Sequence, residues 1–522
     1  MKKIYYILIL AAVSLAFNAC DSEEDLIDER KADNPLPGEE IPTGESGAAD
    51  FTTYVSIGNS LTAGFMDNAL YTDGQQNSFP NILAGQFRVE GVGGGAFNQP
   101  DINSNNGFNS AFSDLGMGLI RGRLVLDLDL DNDPSTSDAG PKALEDGELP
   151  TPFTGDKGTL NNFGVPGVLL GQVLSPATGG PAEGNPLYNG LYARFASNPG
   201  VSTILGDAIT RQPTFFTLWI GNNDVLGYAI SGASNEAIFT SPTAFDAQYE
   251  SLINTLLSNT EANGIVINIP PVTTIPFFQA VPRVVSVPEA SRAELSAGLT
   301  QLNTAINGWN MGVQANPGLS DEQKAALLRP TLNTDLDNYP LVIEDLSLSD
   351  AAVPIDDMGN MLVIPKVRNI DPTPGTGELL PFPASQEIPK GTGISPATPL
   401  GDEFVLTKEE ITTITERAIA FNTTIATLVA QNSDRLKLYD INPLFLDLVG
   451  LSDGEVGIVV DGIPHSPDFR PSGVFSTDGV HINPRGNAIV TNELIDLINR
   501  EFGASIPKVD IQTYRTVLIS TD

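Results

Sequence analysis

The sequence predicts an α/β fold built on a parallel sheet. Short apolar segments with strand character alternate with longer segments of helical periodicity, which is typical of repeated strand–helix–strand units. The predicted strands are apolar over most of their length, as expected of parallel strands covered by helices on both faces. An apolar fraction of 41% in a chain of 522 residues supplies ample material for one large core.

The predicted strands, in chain order, are residues 53–57, 158–162, 215–220, 264–269 and 436–440, of which 158–162 is only weakly strand-like. Helical periodicity is found in residues 244–258, 289–309, 408–431 and 488–502. In open α/β sheets, ligands bind beyond the carboxyl ends of the strands. Polar residues that directly follow a strand are therefore candidate site residues.

The first candidate pair precedes the last predicted helix. The chain has only two histidines, and His481 follows Asp478 by three residues. A serine hydrolase needs an imidazole to take the proton of the nucleophile and a carboxylate to orient that imidazole. Asp-x-x-His on one tight loop can present both groups toward the same point. The other histidine, His465, lies between two prolines and lacks this spacing, so we predict a surface or cleft-rim residue there.

A candidate nucleophile, Ser60, follows the predicted strand 53–57. Gly58 and Asn59 form a turn signal, and a helix can begin at Leu61. Ser60 then lies at a strand-to-helix turn, where main-chain N–H groups and the positive end of a helix dipole are close. The alternative is that Asn59 and Ser60 merely cap a helix.

Two further segments carry candidate hydrogen-bond donors. Asn223 follows the predicted strand 215–220, and a side-chain amide at the mouth of a strand suits an oxyanion hole. Gly167 has no Cβ, so its main-chain N–H can come close to a substrate. Each of these segments alone is also typical of a structural turn.

Four blocks occur in this order along the chain: GNSL at 58–61, NFGVPG at 162–167, GNND at 221–224 and DGVH at 478–481. Together they resemble the SGNH (GDSL-type) hydrolase family, over residues 51–502. The resemblance implies that Ser60 is the nucleophile and that Asp478 and His481 complete a triad. It also implies an oxyanion hole formed by the N–H of Ser60 with Gly167 and Asn223.

The resemblance further implies a three-layer α/β/α sandwich with a five-stranded, flavodoxin-like parallel sheet. The expected activity is hydrolysis of neutral carboxylic esters, of lipids or O-acetylated glycans, through an acyl-enzyme and without a cofactor. Asn59 stands where the family usually has Asp, a nearly isosteric change that bears on the positioning of the neighbouring serine. The alternative function is a surface lipoprotein that keeps this fold, has weak catalysis and binds a substrate or glycan.

The charge balance restricts the partners. The chain has 64 acidic and 27 basic residues, a formal charge of −37, and no sizeable basic cluster. Nucleic acid binding is excluded because phosphate contacts need a basic surface, and anionic substrates meet a repulsive field. Asp129, Asp131 and Asp133 have the spacing of a calcium loop, but the required Gly and the final Glu are missing. An acidic hairpin, without a metal, is predicted there.

The N-terminus predicts export and lipid attachment. Two lysines precede the apolar run 4–17, which is too short for a permanent membrane span and is typical of a signal peptide, residues 1–19. Cys20, the only cysteine, resembles the lipidated cysteine of bacterial lipoproteins and would anchor the chain to the membrane. The alternative is an ordinary secretory signal followed by a chance cysteine.

The acidic segment 20–50, rich in Pro, Gly and Ser, predicts an extended tether. It resembles the surface-export signals of Bacteroidetes-type lipoproteins. The expected location is the bacterial envelope, at the outer membrane or the cell surface, with the periplasmic face also open. The oligomeric state is left open by the sequence.

Residues 51–522 are expected to form one hydrolase domain with two long insertions. The first spans about residues 88–157 and the second about 279–406. Long connections inside a compact domain are usually functional or disordered. The second insertion is therefore predicted to be a lid or cleft wall, and the alternative is a solvated decoration.

Overall fold

A five-stranded parallel sheet forms the centre of the computed structural model, which describes residues 43–130, 139–354, 360–451 and 456–520. The strands are β1 (Tyr54–Gly58), β2 (Asn162–Gly164), β3 (Phe215–Trp219), β4 (Asn263–Ile267) and β5 (Leu436–Tyr439). They lie in the order β5-β4-β3-β1-β2, and every neighbouring pair is parallel. This is the doubly wound, flavodoxin-like order, so the predicted fold class is confirmed.

Eight helices are labelled here in chain order: α1 (Ser60–Ala63), α2 (Phe79–Phe87), α3 (Ile204–Thr210), α4 (Asn223–Ile230), α5 (Pro242–Asn259), α6 (Glu289–Ala315), α7 (Lys408–Gln431) and α8 (Pro484–Phe502). Shorter helices are Thr72–Gln76, Leu170–Val173, Gly190–Ala193, Pro276–Gln279, Asp321–Leu327, Ala384–Glu387 and Asn442–Leu448. Helices α2 and α8 pack together, and α5 packs against both α3 and α7. The two groups form the outer layers around the sheet. None of the helices in the described ranges combines the length and apolar character needed to cross a membrane.

Helix α8 begins one turn earlier than the predicted segment 488–502. The side chain of Asn483 accepts a hydrogen bond from the Gly486 N–H and caps the helix, and Pro484 occupies its first position. Both are standard signals for a helix start, because Asn satisfies a free N–H and Pro has none to satisfy. The apolar pattern does not include this first turn of the helix, whose start is set by the capping residue.

The predicted strand at 158–162 is wrong in position. The edge strand is β2, and residues 157–159 form a 3₁₀ turn instead. The side-chain amide of Asn161 donates to the Tyr54 carbonyl and that of Asn162 to the Thr62 carbonyl, at 2.8 and 2.9 Å. Gly164 packs so closely against the main chain of α1 that a Cβ would collide with it. Tertiary contacts of polar residues and a glycine, not an apolar pattern, define this strand.

The main core fills both faces of the sheet, and its largest fully buried side chain is Trp219. The indole N–H of Trp219 donates to the Asn268 carbonyl at 3.1 Å, which satisfies its one polar group. On β1 and β3, Ser56 and Thr217 pair through their hydroxyls at 2.8 Å. Buried polar groups in this sheet are thus matched across strands, as their desolvation requires.

The first predicted insertion contains an antiparallel pair of strands, Leu124–Asp127 with Gly140–Ala143. The predicted acidic hairpin is confirmed to this extent, while Asp131 and Asp133 lie outside the described residues. Asp127 accepts a hydrogen bond from the Lys142 ammonium at 2.7 Å. In the described parts of the chain, no group of three or more His, Cys, Asp or Glu side chains is arranged to hold a metal ion.

The second insertion has antiparallel pairs of its own: Val284–Val285 with Tyr339–Pro340, Val342–Glu344 with Val367–Asn369, and Ala351–Pro354 with Met361–Ile364. Most of its buried apolar side chains form three clusters that are separate from the main core, while Leu379 and Leu406 belong to that core. Trp309, on α6, belongs to one of them, and its indole N–H donates to the Leu327 carbonyl at 2.8 Å. The predicted signal peptide, Cys20 and the tether as far as residue 42 lie outside the described residues.

Candidate active site

Three strands bring the predicted site segments to one edge of the sheet. Gly58, the last residue of β1, is in register with Gly164 on β2 and with Trp219 on β3. Because the strands are parallel, the residues that follow each of them leave the sheet at the same carboxyl edge. Ser60, Gly167 and Asn223 therefore belong to adjoining loops.

Ser60 is the first residue of α1, directly after the sharp turn at Asn59. The Asn59 side chain accepts a hydrogen bond from the Leu61 N–H at 3.1 Å and caps the helix. The turn needs Gly58, because a Cβ there would collide with the Thr62 side chain and the Trp219 carbonyl. The two interpretations of the segment are combined in the structure: Asn59 is the cap, and the Ser60 hydroxyl is left for the site.

The three predicted triad residues form one hydrogen-bonded chain. The Ser60 hydroxyl lies 2.9 Å from His481 Nε2, and His481 Nδ1 lies 2.9 Å from Asp478 Oδ2. With the ring proton on Nδ1, the imidazole donates to the carboxylate and accepts from the hydroxyl. Ser60 is 7% exposed and the His481 side chain 13% exposed, so the chain is shielded but reachable from solvent.

Asp478 is held as a carboxylate. Burial raises its pKa, but the charge of His481 and hydrogen bonds to the ionised form outweigh burial and lower the pKa to about 2. Its Oδ1 accepts from the N–H groups of Val480 and His481, and its Oδ2 accepts from the Asn68 N–H. Asp478 is therefore ionised throughout the neutral and mildly acidic range.

A tight turn presents Asp478 and His481 on the same side. The Ser476 N–H donates to the His481 carbonyl at 2.7 Å, and the Gly479 N–H donates to the Ser476 carbonyl at 2.9 Å. Gly479 has φ +70, a conformation that favours glycine. A Cβ at this position would also lie 2.5 Å from the ring of Phe382. We call residues 476–481 the catalytic loop.

Two residues that the sequence analysis missed form hydrogen bonds with the catalytic loop. Asp67 and Asn68 have φ values of 54 and 57 and turn the chain so that the Asn68 N–H reaches Asp478. The Asp67 carboxylate accepts from both the N–H and the hydroxyl of Thr477, and the Asp67 N–H donates to the Ser476 hydroxyl. An Asp-Asn pair between apolar residues is a signal for left-handed backbone that could have located this turn.

The predicted oxyanion donors lie on adjoining segments. Gly167 is exposed, has φ +75 and has open space where a Cβ would be. Among the described residues, no hydrogen-bond acceptor occupies the main-chain N–H of Ser60 or Gly167. The Asn223 amide donates one proton to the Val168 carbonyl at 2.9 Å, which leaves its second N–H for another acceptor. Three donors are thus available at this edge.

Asp224, beside Asn223, ties the two donor segments together. Its Oδ2 accepts from the Leu170 N–H at 2.9 Å and its Oδ1 from the Thr240 hydroxyl at 2.7 Å. Burial raises the pKa of Asp224 to about 6 although both hydrogen bonds lower it. The sequence shows this carboxylate only as part of a polar tetrad, and its structural role depends on a loop more than fifty residues away.

The prediction that His465 is a surface or cleft-rim residue is wrong. His465 is 1% exposed, and neither ring nitrogen has a hydrogen-bond partner among the described residues. Burial lowers its pKa, and the charge of Arg485 lowers it further. His465 ends a hairpin, Ile458–Val460 with Ile463–His465, instead of lying in an open loop.

The second insertion reaches the catalytic loop through aromatic side chains. The Phe277 N–H donates to the Gly479 carbonyl at 2.9 Å, just before the insertion begins. The ring of Phe382, inside the insertion, lies 5.3 Å from that of Phe277 and 5.4 Å from that of Phe469. The ring of Phe65 lies 5.0 Å from that of His481. Aromatic side chains are thus packed close to both the His481 ring and the catalytic loop.

No model of a known protein family matches this chain, and no curated protein or solved structure matches it either. The geometry of the site is what bears on its chemistry. A hydroxyl, an imidazole and a buried carboxylate are joined by hydrogen bonds at the carboxyl edge of a parallel sheet. The segments that follow the neighbouring strands carry free N–H donors at the same edge.

Proposed function

We propose that this protein is a serine ester hydrolase of the kind that its site blocks resemble, the SGNH (GDSL-type) family. The observation that carries the proposal is the chain Asp478–His481–Ser60, in which both hydrogen bonds are 2.9 Å long. Recognition of a triad depends on geometry and roles, not on sequence position. A hydroxyl with an aligned base and oriented carboxylate is suited to acyl transfer.

In the proposed reaction, Ser60 Oγ attacks the ester carbonyl while His481 Nε2 takes its proton. The oxyanion that forms is stabilised by the N–H groups of Ser60 and Gly167 and by the free N–H of Asn223. His481 then gives the proton to the leaving alcohol, and the acyl group remains on Ser60. Water, deprotonated by the same imidazole, releases the carboxylic acid and restores the serine.

Asp478 acts through His481. Its carboxylate fixes the ring tautomer that leaves Nε2 free to accept a proton, and it stabilises the imidazolium that forms during each transfer. The low pKa of Asp478, about 2, means that this support is present wherever the protein is folded near neutral pH. The N–H donors of the loop and of Asn68 keep the carboxylate from turning away.

The proposed substrates are neutral carboxylic esters, either of lipids or of O-acetylated glycans. The formal charge of −37 disfavours anionic substrates by long-range repulsion. The proposed location is the bacterial envelope, with a diacylglycerol on Cys20 as the anchor. Cys20→Ser is then expected to release active enzyme into the soluble fraction, because an acyl anchor buries many more methylene groups than the tether. Unchanged membrane partitioning of the variant would refute the anchor.

The function is tested by covalent labelling with a fluorophosphonate, which reacts with an activated serine. We expect the purified protein to be labelled and to hydrolyse p-nitrophenyl acetate, and Ser60→Ala to lose both properties. Ser258→Ala, at an exposed position of α5, is the matched control and should keep both. A folded protein that shows neither labelling nor turnover would favour the alternative, a surface lipoprotein that binds a substrate or glycan.

The oxyanion hole has its own test. Asn223→Ala removes a donor, so we expect turnover of p-nitrophenyl acetate to fall by roughly 10²-fold. Labelling of Ser60 should remain, since the triad is untouched. Asn222→Ala is the adjacent control and should affect turnover less. If Asn223→Ala lowers the melting temperature below that of the assay without a separate kinetic defect, Asn223 is a structural turn residue.

A further inference from the structure

A cavity lies between the first insertion and the helices Thr72–Gln76 and α2. Its volume is about 370 Å³, and none of its lining residues belongs to the triad or to the proposed oxyanion hole. Pockets for small ligands typically measure about 300–1,000 Å³. Half of its twelve lining residues fall within residues 88–157, so this insertion builds much of the cavity wall.

The apolar lining of the cavity consists of two phenylalanine rings and Leu160. Phe97 is 9% exposed and its ring stacks on that of Tyr54, with 5.2 Å between centroids, so it forms a fixed floor. Phe153 is half-buried and forms a wall, which Gly155 permits, because a Cβ at 155 would lie 2.5 Å from that ring. The Arg194 guanidinium lies 6.0 Å from the Phe153 ring centroid. Both rings are thus held in place.

The polar part of the lining has unused hydrogen-bonding capacity. Asn81 and Asn98 each donate one amide proton to a neighbouring carbonyl, of Gln76 and Thr159, and each keeps its side-chain oxygen free of described partners. Asp156 uses Oδ1 for the Gly158 N–H and has no described partner at Oδ2. The exposed Gln76 amide makes no hydrogen bond with the described residues. The lining therefore offers several acceptors and a few donors.

The charges around the cavity disfavour an anionic ligand. Asp101 and Asp156 line it, and no Lys or Arg does. The nearby Lys157 donates to the Ala196 carbonyl, and Arg194 donates to main-chain carbonyls that include that of Thr151. These cations are engaged elsewhere. A ligand that presents hydroxyl donors and carries no negative charge meets the fewest penalties here.

We propose that this cavity binds an uncharged sugar unit of a glycan. A pyranose ring has an apolar C–H face that suits an aromatic floor and wall, and equatorial hydroxyls that suit amide and carboxylate oxygens. The cavity is linked to the triad region, since Gln99 in its lining accepts from Asn162, which also donates to Thr62 on α1. The proposal rests on the cavity alone and does not require ester hydrolysis.

The test is a titration of the Ser60→Ala protein with four uncharged tetrasaccharides, cellotetraose, xylotetraose, mannotetraose and maltotetraose, followed by calorimetry and saturation-transfer NMR. We expect at least one to bind with a Kd of about 1 mM or tighter. Tetragalacturonate, the charged counterpart, should bind more weakly. Gln76→Ala and Phe153→Ala should each weaken the binding by about tenfold, since each removes a direct contact. Gln314→Ala, at an exposed position of α6, is the control.

Absence of binding for all four sugars at about 10 mM would overturn the proposal. It would also be overturned if the Gln76→Ala and Phe153→Ala proteins, with unchanged melting temperatures, bound the sugar as tightly as their parent protein. Binding of tetragalacturonate as tight as that of the uncharged sugars would overturn it too. The outcome is separable from the ester hydrolase proposal. Sugar binding by a protein without any esterase activity would leave the cavity assignment intact, and esterase activity without sugar binding would overturn the cavity assignment alone.

Discussion

The two histidines of the chain differ in every respect that matters for catalysis. His481 has a partner at each ring nitrogen and lies at the edge of the sheet, partly open to solvent. His465 is buried at the end of a hairpin strand, and its ring nitrogens have no partner among the described residues. The difference comes from the tight turn, which brings Asp478 into contact with the His481 ring, whereas Asp468, three residues after His465, makes no contact of this kind. The surroundings of an imidazole, and not its presence, decide whether it is placed to accept a proton from a hydroxyl.

The largest expected effect comes from replacing each of the two histidines in turn. His481→Ala should lower p-nitrophenyl acetate turnover by roughly 10³-fold or more, because a triad acts as a unit. His465→Ala is the matched control, and its rate should stay within a few-fold of the native rate at a temperature where it is folded. Near-native turnover of His481→Ala together with loss in His465→Ala would reverse the assignment of the base.

Asp478→Asn makes His481 more like His465, by removing the charge beside it. We expect turnover to fall by roughly 10²- to 10³-fold, because the amide no longer fixes the productive ring tautomer or stabilises the imidazolium. The measurement is the kcat of the folded variant. Asp468→Asn, in the loop after His465, serves as the control and should leave kcat unchanged. A kcat of Asp478→Asn within twofold of the native value would contradict the triad.

A smaller effect is expected where the second insertion touches the catalytic loop. Phe382→Ala removes the ring that packs on Gly479, so the loop gains freedom and kcat should fall by roughly 3- to 10-fold, as a small misplacement of His481 would cause. Met361→Ala, an exposed position in the same insertion, is the control. An unchanged kcat and unchanged substrate ranking in Phe382→Ala would favour a solvated decoration over a lid or cleft wall.

The smallest effect concerns His465 and stability. Because its folded-state pKa is lowered, the neutral form contributes stability that is present above the ordinary pKa of 6.5 and is lost as pH falls through the lowered value. Replacing His465 by Leu removes this loss. The melting temperature of His465→Leu should therefore exceed that of the native protein by a few degrees more at pH 5 than at pH 8.

Taking the difference between two proteins cancels the opposing contributions of other groups. The pKa of Asp224 is raised to about 6, so its contribution to the stability of the protein is lost as pH rises through that value. The contribution of Asp478 is lost only in strong acid. Both are the same in the native and variant proteins. A melting-temperature difference that does not change with pH would show that the pKa of His465 is the same in the folded and unfolded protein, and so is not lowered by burial.

Sequence patterns were sufficient where local signals and tertiary structure agree. The strands near 53–57 and 215–220 are apolar and end in glycine or asparagine turns, and the triad and donor residues follow such strands or precede a helix. Strand β2 was misplaced because Asn161, Asn162 and Gly164 form it through contacts with distant main chain. Those contacts exist only once the sheet is assembled.

The supporting residues of the site were not predictable for the same reason. Asp67 contacts Thr477 across 410 positions of the chain, and nothing near Asp67 in the sequence indicates that partner. His465 lies in a hairpin whose strands are three residues long, too short for an apolar pattern to predict. Motifs predict which groups carry the chemistry, whereas the groups that hold them are visible only in three dimensions.

The positions of the two indoles have a spectroscopic consequence. Trp219 is in the main core beneath the active-site edge, and Trp309 is in the second insertion, whose apolar clusters are separate from that core. Since these are the only tryptophans of the chain, fluorescence reports on the main core and on the second insertion at once. Trp309→Phe leaves the tryptophan emission of the core alone. Subtracting its spectrum from that of the native protein gives the emission of Trp309 in the insertion. The rate of opening of the insertion can thus be compared with the rate of unfolding of the sheet by fluorescence.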